Sequence, residues 1–267
     1  MAKIRIDHGM LIFAEIKNKI MAKYLNISTK APSGFEKDKT KEKTADLILK
    51  LRDLQAVLYA ESKRSLLIVL QGIDASGKDG TVKHVFSGVN PMGCNVHSFK
   101  APTPLDFSHD FLWRVHANTP SKGMIEIFNR SHYEDILVPT VHKLLPKDVI
   151  KKRYDYINSF ENLLQDNDTI ILKFFLHISK EEQKERFKER QTNPAKEWKY
   201  QPEDIAESKH WDDYMDVYEN IFDKCSKEIP WIIVPADMNW YRNYFIAKTI
   251  VDKLKSLDMK YPKKGQE

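Results

Sequence analysis

Two cysteines in 267 residues, Cys94 and Cys225, are too few for a disulfide framework and form no C-x-x-C pair. The nine histidines show no zinc-like spacing. No apolar run approaches the roughly 20 residues of a membrane span. The first twenty residues, MAKIRIDHGMLIFAEIKNKI, hold only the short apolar patch MLIF and no small-residue cleavage site. Internal repeats and low-complexity tracts are also missing. These absences exclude a secreted disulfide scaffold, a spanning protein and a repeat array. A reducing cytoplasm with no membrane partner is the expectation.

What is present is a chain of 42% hydrophobic and 30% charged residues, able to bury a core for one large domain or two small ones. The net charge of +5 fits an ordinary solvated surface or a polyanionic partner. Nucleic acid is not the expected polyanion, because no RRM, zinc-finger or helix-turn-helix signature accompanies the charge.

Residues 1 to 33 end at the Pro/Gly break KAPSG and read as an N-terminal arm. Residues 34–267 read as a single domain. EKDKTKEKTADLILKLRDLQAVLYAESKR spaces its apolar residues close to helical periodicity and predicts a long amphipathic helix. Five short apolar runs, at 65–72, 94–100, 124–128, 169–178 and 231–236, predict strands. Helical segments separate them, one at about 106–116 and one disturbed by Pro139. Ser179-x-x-Glu182 opens a highly charged helix as an N-cap pattern. This alternation predicts a three-layer α/β/α sandwich around a parallel sheet of about five strands.

The first strand runs into QGIDASGKDG, Gln71 to Gly80. It resembles the phosphate-loop pattern G-x-x-x-x-G-K-[ST], with one departure. Gly72, Gly77 and Lys78 keep the register, and Ala75, Ser76 and Gly80 complete the cradle. Asp79, however, replaces the metal-binding hydroxyl. Glycine lets backbone N–H groups converge on an anion, the following helix adds its dipole, and lysine adds a full charge. The usual second metal ligand, an Asp ending a nearby strand, is Asn129 here. Asp74 inside the loop is the best replacement, because a hard cation would turn its repulsion for phosphate into attraction. An Asx-turn residue that shapes the loop is the alternative for Asp74.

The stretches GIDASGKDGTVKHVFSGVNP, FKAPTP, HDFLWRVH, IFNRSHYEDILVPTVH and LKFFLHISKEEQKERFKER together resemble the polyphosphate kinase 2 family, over residues 35 to 255. The resemblance implies a P-loop kinase fold with a helical lid, here at about 179–210, and a homo-oligomer, dimer or tetramer. It implies phosphoryl transfer between inorganic polyphosphate and nucleotides, with Mg²⁺, or Mn²⁺ as a substitute. Asp74, Lys78, Asn129, Arg130 and Arg190 fall on the family's functional positions, and Arg186 lies one turn before Arg190. Asp204 follows the lid as a second metal candidate. Asn129 implies the subgroup that accepts both mono- and diphosphates, since an amide removes a negative charge beside the acceptor. AMP, ADP and ATP are therefore the expected nucleotides, with guanine nucleotides as further candidates. His132 and Tyr133 are expected to line the acceptor pocket, and Lys83, Lys100, Arg114 and Lys122 to line a basic channel. Two other functions remain open at this point. An ATP-dependent small-molecule kinase would favour Ser or Thr at 79 and Asp at 129. A non-catalytic polyanion-binding module would not need Gly77-Lys78 with the Arg186/Arg190 pair.

Overall fold

The computed structural model describes residues 26–263. Most of the expected N-terminal arm, residues 1–25, lies outside the described residues. The remainder of the arm is tied to the body. Thr29 donates its hydroxyl to Asp237 Oδ2 at 2.6 Å, and the Asp237 N–H donates to the Thr29 carbonyl at 3.0 Å.

All five predicted strands form: β1 (Ser65–Gln71), β2 (Cys94–Ser98), β3 (Ile125–Asn129), β4 (Thr169–His177) and β5 (Trp231–Pro235). They make one parallel sheet in the order β2-β3-β1-β4-β5. The central strand β1 is buried along its whole length, as a strand covered on both faces must be.

On one side, α1 (Lys37–Glu61), α2 (Lys78–Val85) and α10 (Asn239–Lys255) pack together. On the other side lie α5 (Glu134–Val141), α6 (Lys147–Asp166) and α9 (Trp211–Lys224). The chain leaves β1 toward β2 and leaves β3 toward β4, in opposite directions across the sheet. The crossovers therefore fall on opposite faces, and a crevice opens at the carboxyl ends of β1 and β3.

The single helix expected at about 106–116 is two short ones, α3 (Pro104–Phe107) and α4 (Trp113–His116). The break is local chemistry. Thr103 and Asp106 form a capping box, and the Asp110 carboxylate accepts the Leu112 N–H at 2.9 Å in place of helical bonding. Pro139 lies within α5 without ending it. Proline has no N–H for the Asp135 carbonyl four residues earlier, and the Arg153 guanidinium donates to that carbonyl instead. After β4, the predicted Ser179 cap accepts the Glu182 N–H at 3.1 Å and starts α7 (Lys180–Thr192). A further short helix, α8 (Pro202–Glu207), precedes α9. No helix among the described residues is long and apolar enough to cross a membrane.

Candidate active site

The loop between β1 and α2 sits at the crevice. Gly72 has φ +150°, and a Cβ there would meet the Leu176 carbonyl at 2.9 Å. Gly77 has φ +98° and starts α2. Ala75 adopts φ +63°, a left-handed conformation that costs a non-glycine residue of order 1 kcal/mol. Side chains from later in the chain hold this geometry. Gln183 donates to the Asp74 carbonyl at 3.0 Å, and Arg186 donates to the carbonyls of Ala75 and Ser76 at 2.8 and 2.9 Å. Within the loop the Ser76 N–H closes a turn onto the Ile73 carbonyl at 3.1 Å, so the curvature an anion cradle needs is fixed in place.

Lys78 is 8% exposed, and its Nζ donates to the Gly72 carbonyl at 2.6 Å and the Ile73 carbonyl at 3.2 Å. Burial, then the charge of Arg130, lowers its pKa to about 8.

β3 delivers Asn129 and Arg130 opposite the loop. The Arg130 N–H donates to the Leu70 carbonyl at 3.1 Å, and the residue takes φ +65°. Its guanidinium meets Asp74 Oδ1 at 2.7 Å. Asn129 donates its amide to Asp79 Oδ1 at 2.9 Å, and Lys199 donates to Asp79 Oδ2 at 2.7 Å. Burial would raise the Asp79 pKa, but these two hydrogen bonds hold it below its usual range. The odd acid of the loop thus joins the strand end to the segment after α7.

A groove of about 1450 Å³ runs over the loop. Asp74 through Gly80, Lys100, Asn129, Arg130, Arg186, Arg190 and Asp204 all line it. The sequence motifs therefore select the whole loop side of the wall but a minority of its residues. They do not select Lys37 and Lys41 of α1, Lys199, the largely exposed Trp198, or Arg242 of α10. A smaller cavity of about 210 Å³ shares Asp74 and Arg130 and adds Tyr214 and Tyr218 of α9.

Several expected positions are corrected. His132 and Tyr133 do not line the groove. Both are fully buried, and both meet Glu161 Oε1, at 3.1 and 2.8 Å, in a network that includes Lys173. Lys83 is exposed and is not in the groove wall. Arg114 pairs with Asp135 at 3.2 Å and donates to the Lys100 carbonyl at 2.8 Å, so it braces Lys100 from outside the groove. Lys122 pairs with Asp168 at 2.8 Å, before β3 and β4, at the opposite edge of the sheet. Arg186 is not free to close over a ligand, because its guanidinium is spent on the loop, on Glu182 and on the Ala236 carbonyl. Arg190, by contrast, makes its ion pair with Asp204 Oδ2 at 2.9 Å.

No group of three potential metal ligands occurs among the described residues. Two carboxylates do face one groove. Burial, then the negative charge of Asp74, raises the Asp204 pKa. A divalent cation would relieve that repulsion, and the oxygen donors suit a hard ion completed by phosphate oxygens.

Comparison with known proteins agrees with this geometry. A family model described as polyphosphate kinase 2 matches residues 34–262. The AMP/ADP-polyphosphate phosphotransferase of Meiothermus ruber is 48% identical over 86% of this chain and 87% of its own length. The ADP-polyphosphate phosphotransferase of Rhodopseudomonas palustris is 42% identical over 80% of this chain and 78% of its own. The crystal structure of polyphosphate kinase 2 from Arthrobacter aurescens superposes with a TM-score of 0.89 at 38% identity, covering 92% of this chain and 90% of that one. With the phosphate loop, the Asn129–Arg130 strand end and the match along nearly the whole described chain, the protein belongs to the polyphosphate kinase 2 family.

Proposed function

We propose that the chain transfers a phosphoryl group between inorganic polyphosphate and nucleotides, taking AMP to ADP and ADP to ATP, in either direction. The observation that carries this is the meeting of two phosphate-binding elements in one crevice, Lys78 in its loop and Arg130 across Asp74. The names of the Meiothermus ruber and Rhodopseudomonas palustris relatives support the substrate pair.

A phosphate acceptor is already ionised at neutral pH and needs no strong general base, so catalysis reduces to positioning and charge neutralisation. The loop N–H groups and Lys78 hold the donor phosphates. Arg130 holds the incoming acceptor phosphate in line. The acceptor oxygen bonds to the terminal phosphorus as its bridging P–O bond breaks, and the departing chain, one unit shorter, keeps the electron pair. Arg190 leaves Asp204 to cover the transferring group as the lid of residues 179–210 closes. Asp74 and Asp204 would hold Mg²⁺, with Mn²⁺ as a substitute, which when bound neutralises phosphate charge. Asp79 orients Asn129, whose neutral amide tolerates an acceptor with either one or two phosphates. Guanine nucleotides are further acceptors on this reading. It places the enzyme in the cytoplasm as a homo-oligomer, for which exposed Met92, Leu105 and Phe107 offer apolar contact area.

The test is incubation with long-chain polyphosphate and Mg²⁺, once with AMP and once with ADP, resolving nucleotides by ion-exchange chromatography. ADP and ATP from AMP, and ATP from ADP, are expected. Conversion of one acceptor alone would overturn the dual specificity, and conversion of neither would overturn the transfer. Asn129→Asp sets a second carboxylate beside Asp79 and should shift the AMP-to-ADP ratio of kcat/KM by roughly tenfold or more.

A further inference from the structure

The groove contains one buried cation with no countercharge among the described residues. Arg242, on α10, is 2% exposed. Its guanidinium donates to Asn239 Oδ1 at 2.8 Å, to Asn243 Oδ1 at 3.2 and 3.0 Å, and to the Ser76 carbonyl at 3.5 Å. All of these acceptors are neutral. Its charged neighbour is another guanidinium, Arg186; burial and then that neighbour pull the Arg242 pKa downward, although arginine keeps its proton at any working pH. A buried charge held only by dipoles is costly, and an anion within reach would remove most of the cost.

The loop is built around this side chain. A Cβ on Gly77 would collide with Arg242 Nη1, and one on Gly80 would fall 3.2 Å from Nη2. The two glycines that flank Lys78-Asp79 leave the room that the guanidinium fills. Arg242 also shares the groove wall with Lys37 and Lys41 of α1.

We propose that Arg242 is a donor-side substrate-binding residue, over which the polyphosphate chain passes as it leaves the loop toward Lys37 and Lys41, supplying the negative charge that the protein omits. The inference rests on the transfer function above. A residue that only pins the loop would make different predictions, and two readouts separate the cases. In R242Q the KM for long-chain polyphosphate should rise roughly tenfold or more, as for a lost charge-assisted hydrogen bond, while the KM for ADP stays within about twofold. The thermal midpoint that tripolyphosphate raises in the wild type should no longer rise in R242Q, and without tripolyphosphate it should not fall below that of the wild type. An unchanged polyphosphate KM, with kcat and the midpoint both lowered, would make Arg242 a pin and overturn the proposal. R242K keeps the charge and should show the same KM split in smaller measure, which carries the test if R242Q does not fold. If the wild type forms no ATP, the transfer function fails; the tripolyphosphate shift still judges Arg242 separately.

Discussion

Lys78 titrates within reach of neutral pH because burial, then Arg130, lowers its pKa to about 8. Its protonated form binds the anionic donor. So kcat/KM for polyphosphate should be level below pH 8 and fall as pH rises through it, since this parameter reports the free enzyme. Lys78→Ala should lose on the order of 10²–10³-fold in kcat and abolish that inflection. Steady-state pH profiles of the two proteins check both points. Lys78 and Asp74 are legible in the sequence from the phosphate-loop register after a strand, whereas Asn129 and Arg130 are assigned through the resemblance to the family. His132 and Tyr133 follow them directly, and adjacency assigns them wrongly to the pocket. Arg130 takes a left-handed φ, and the next side chains turn into the core, a reversal that sequence adjacency does not reveal. Arg242 is illegible for a different reason. It reaches Gly77 and Gly80 from α10, far along the chain and outside any motif that includes the loop. On such a helix an arginine normally reads as surface.

The segment after α7 meets the loop through an exposed contact suited to opening. Lys199 and Asp79 meet at 2.7 Å, but their side chains are 32% and 62% exposed, so the pair is worth at most about 1 kcal/mol. Lys199→Ala should therefore raise the KM for nucleotide only about two- to fivefold and hasten proteolytic cutting of residues 193–200 in the absence of substrate. Initial rates and timed digestion measure the two effects. The strands are legible as continuous apolar runs, which a sheet covered on both faces requires. The i,i+4 spacing of Arg186 and Arg190 is legible as well, but their separate destinations are not. One guanidinium finds loop carbonyls and the other finds Asp204, and those partners come from distant segments. The break between α3 and α4 escapes the sequence because Asp110 reads equally well as a helix-surface residue and as an Asx turn.

Among the described residues, the candidate site side chains gather at the carboxyl edge of the sheet, and a separate charged network lies in the interior. Lys173 donates to Glu161 at 2.6 Å with both side chains buried. Glu161→Gln would leave that ammonium uncompensated and should cost about 3–5 kcal/mol in urea unfolding, with both substrate KM values unchanged. The alternating order of elements makes the architecture legible, whereas this network is not, since its members are spread from His132 to Lys173. The two thiols have a practical consequence. Burial, then Glu126, raises the Cys94 pKa to about 12, and burial raises that of Cys225 to about 12. Neither forms thiolate near neutral pH. A cysteine introduced by Lys122→Cys, at the half-exposed edge opposite the groove, would then be the single maleimide-reactive handle. Mass spectrometry should find one label per chain with turnover intact, so the enzyme could be tethered to a surface with its groove facing outward.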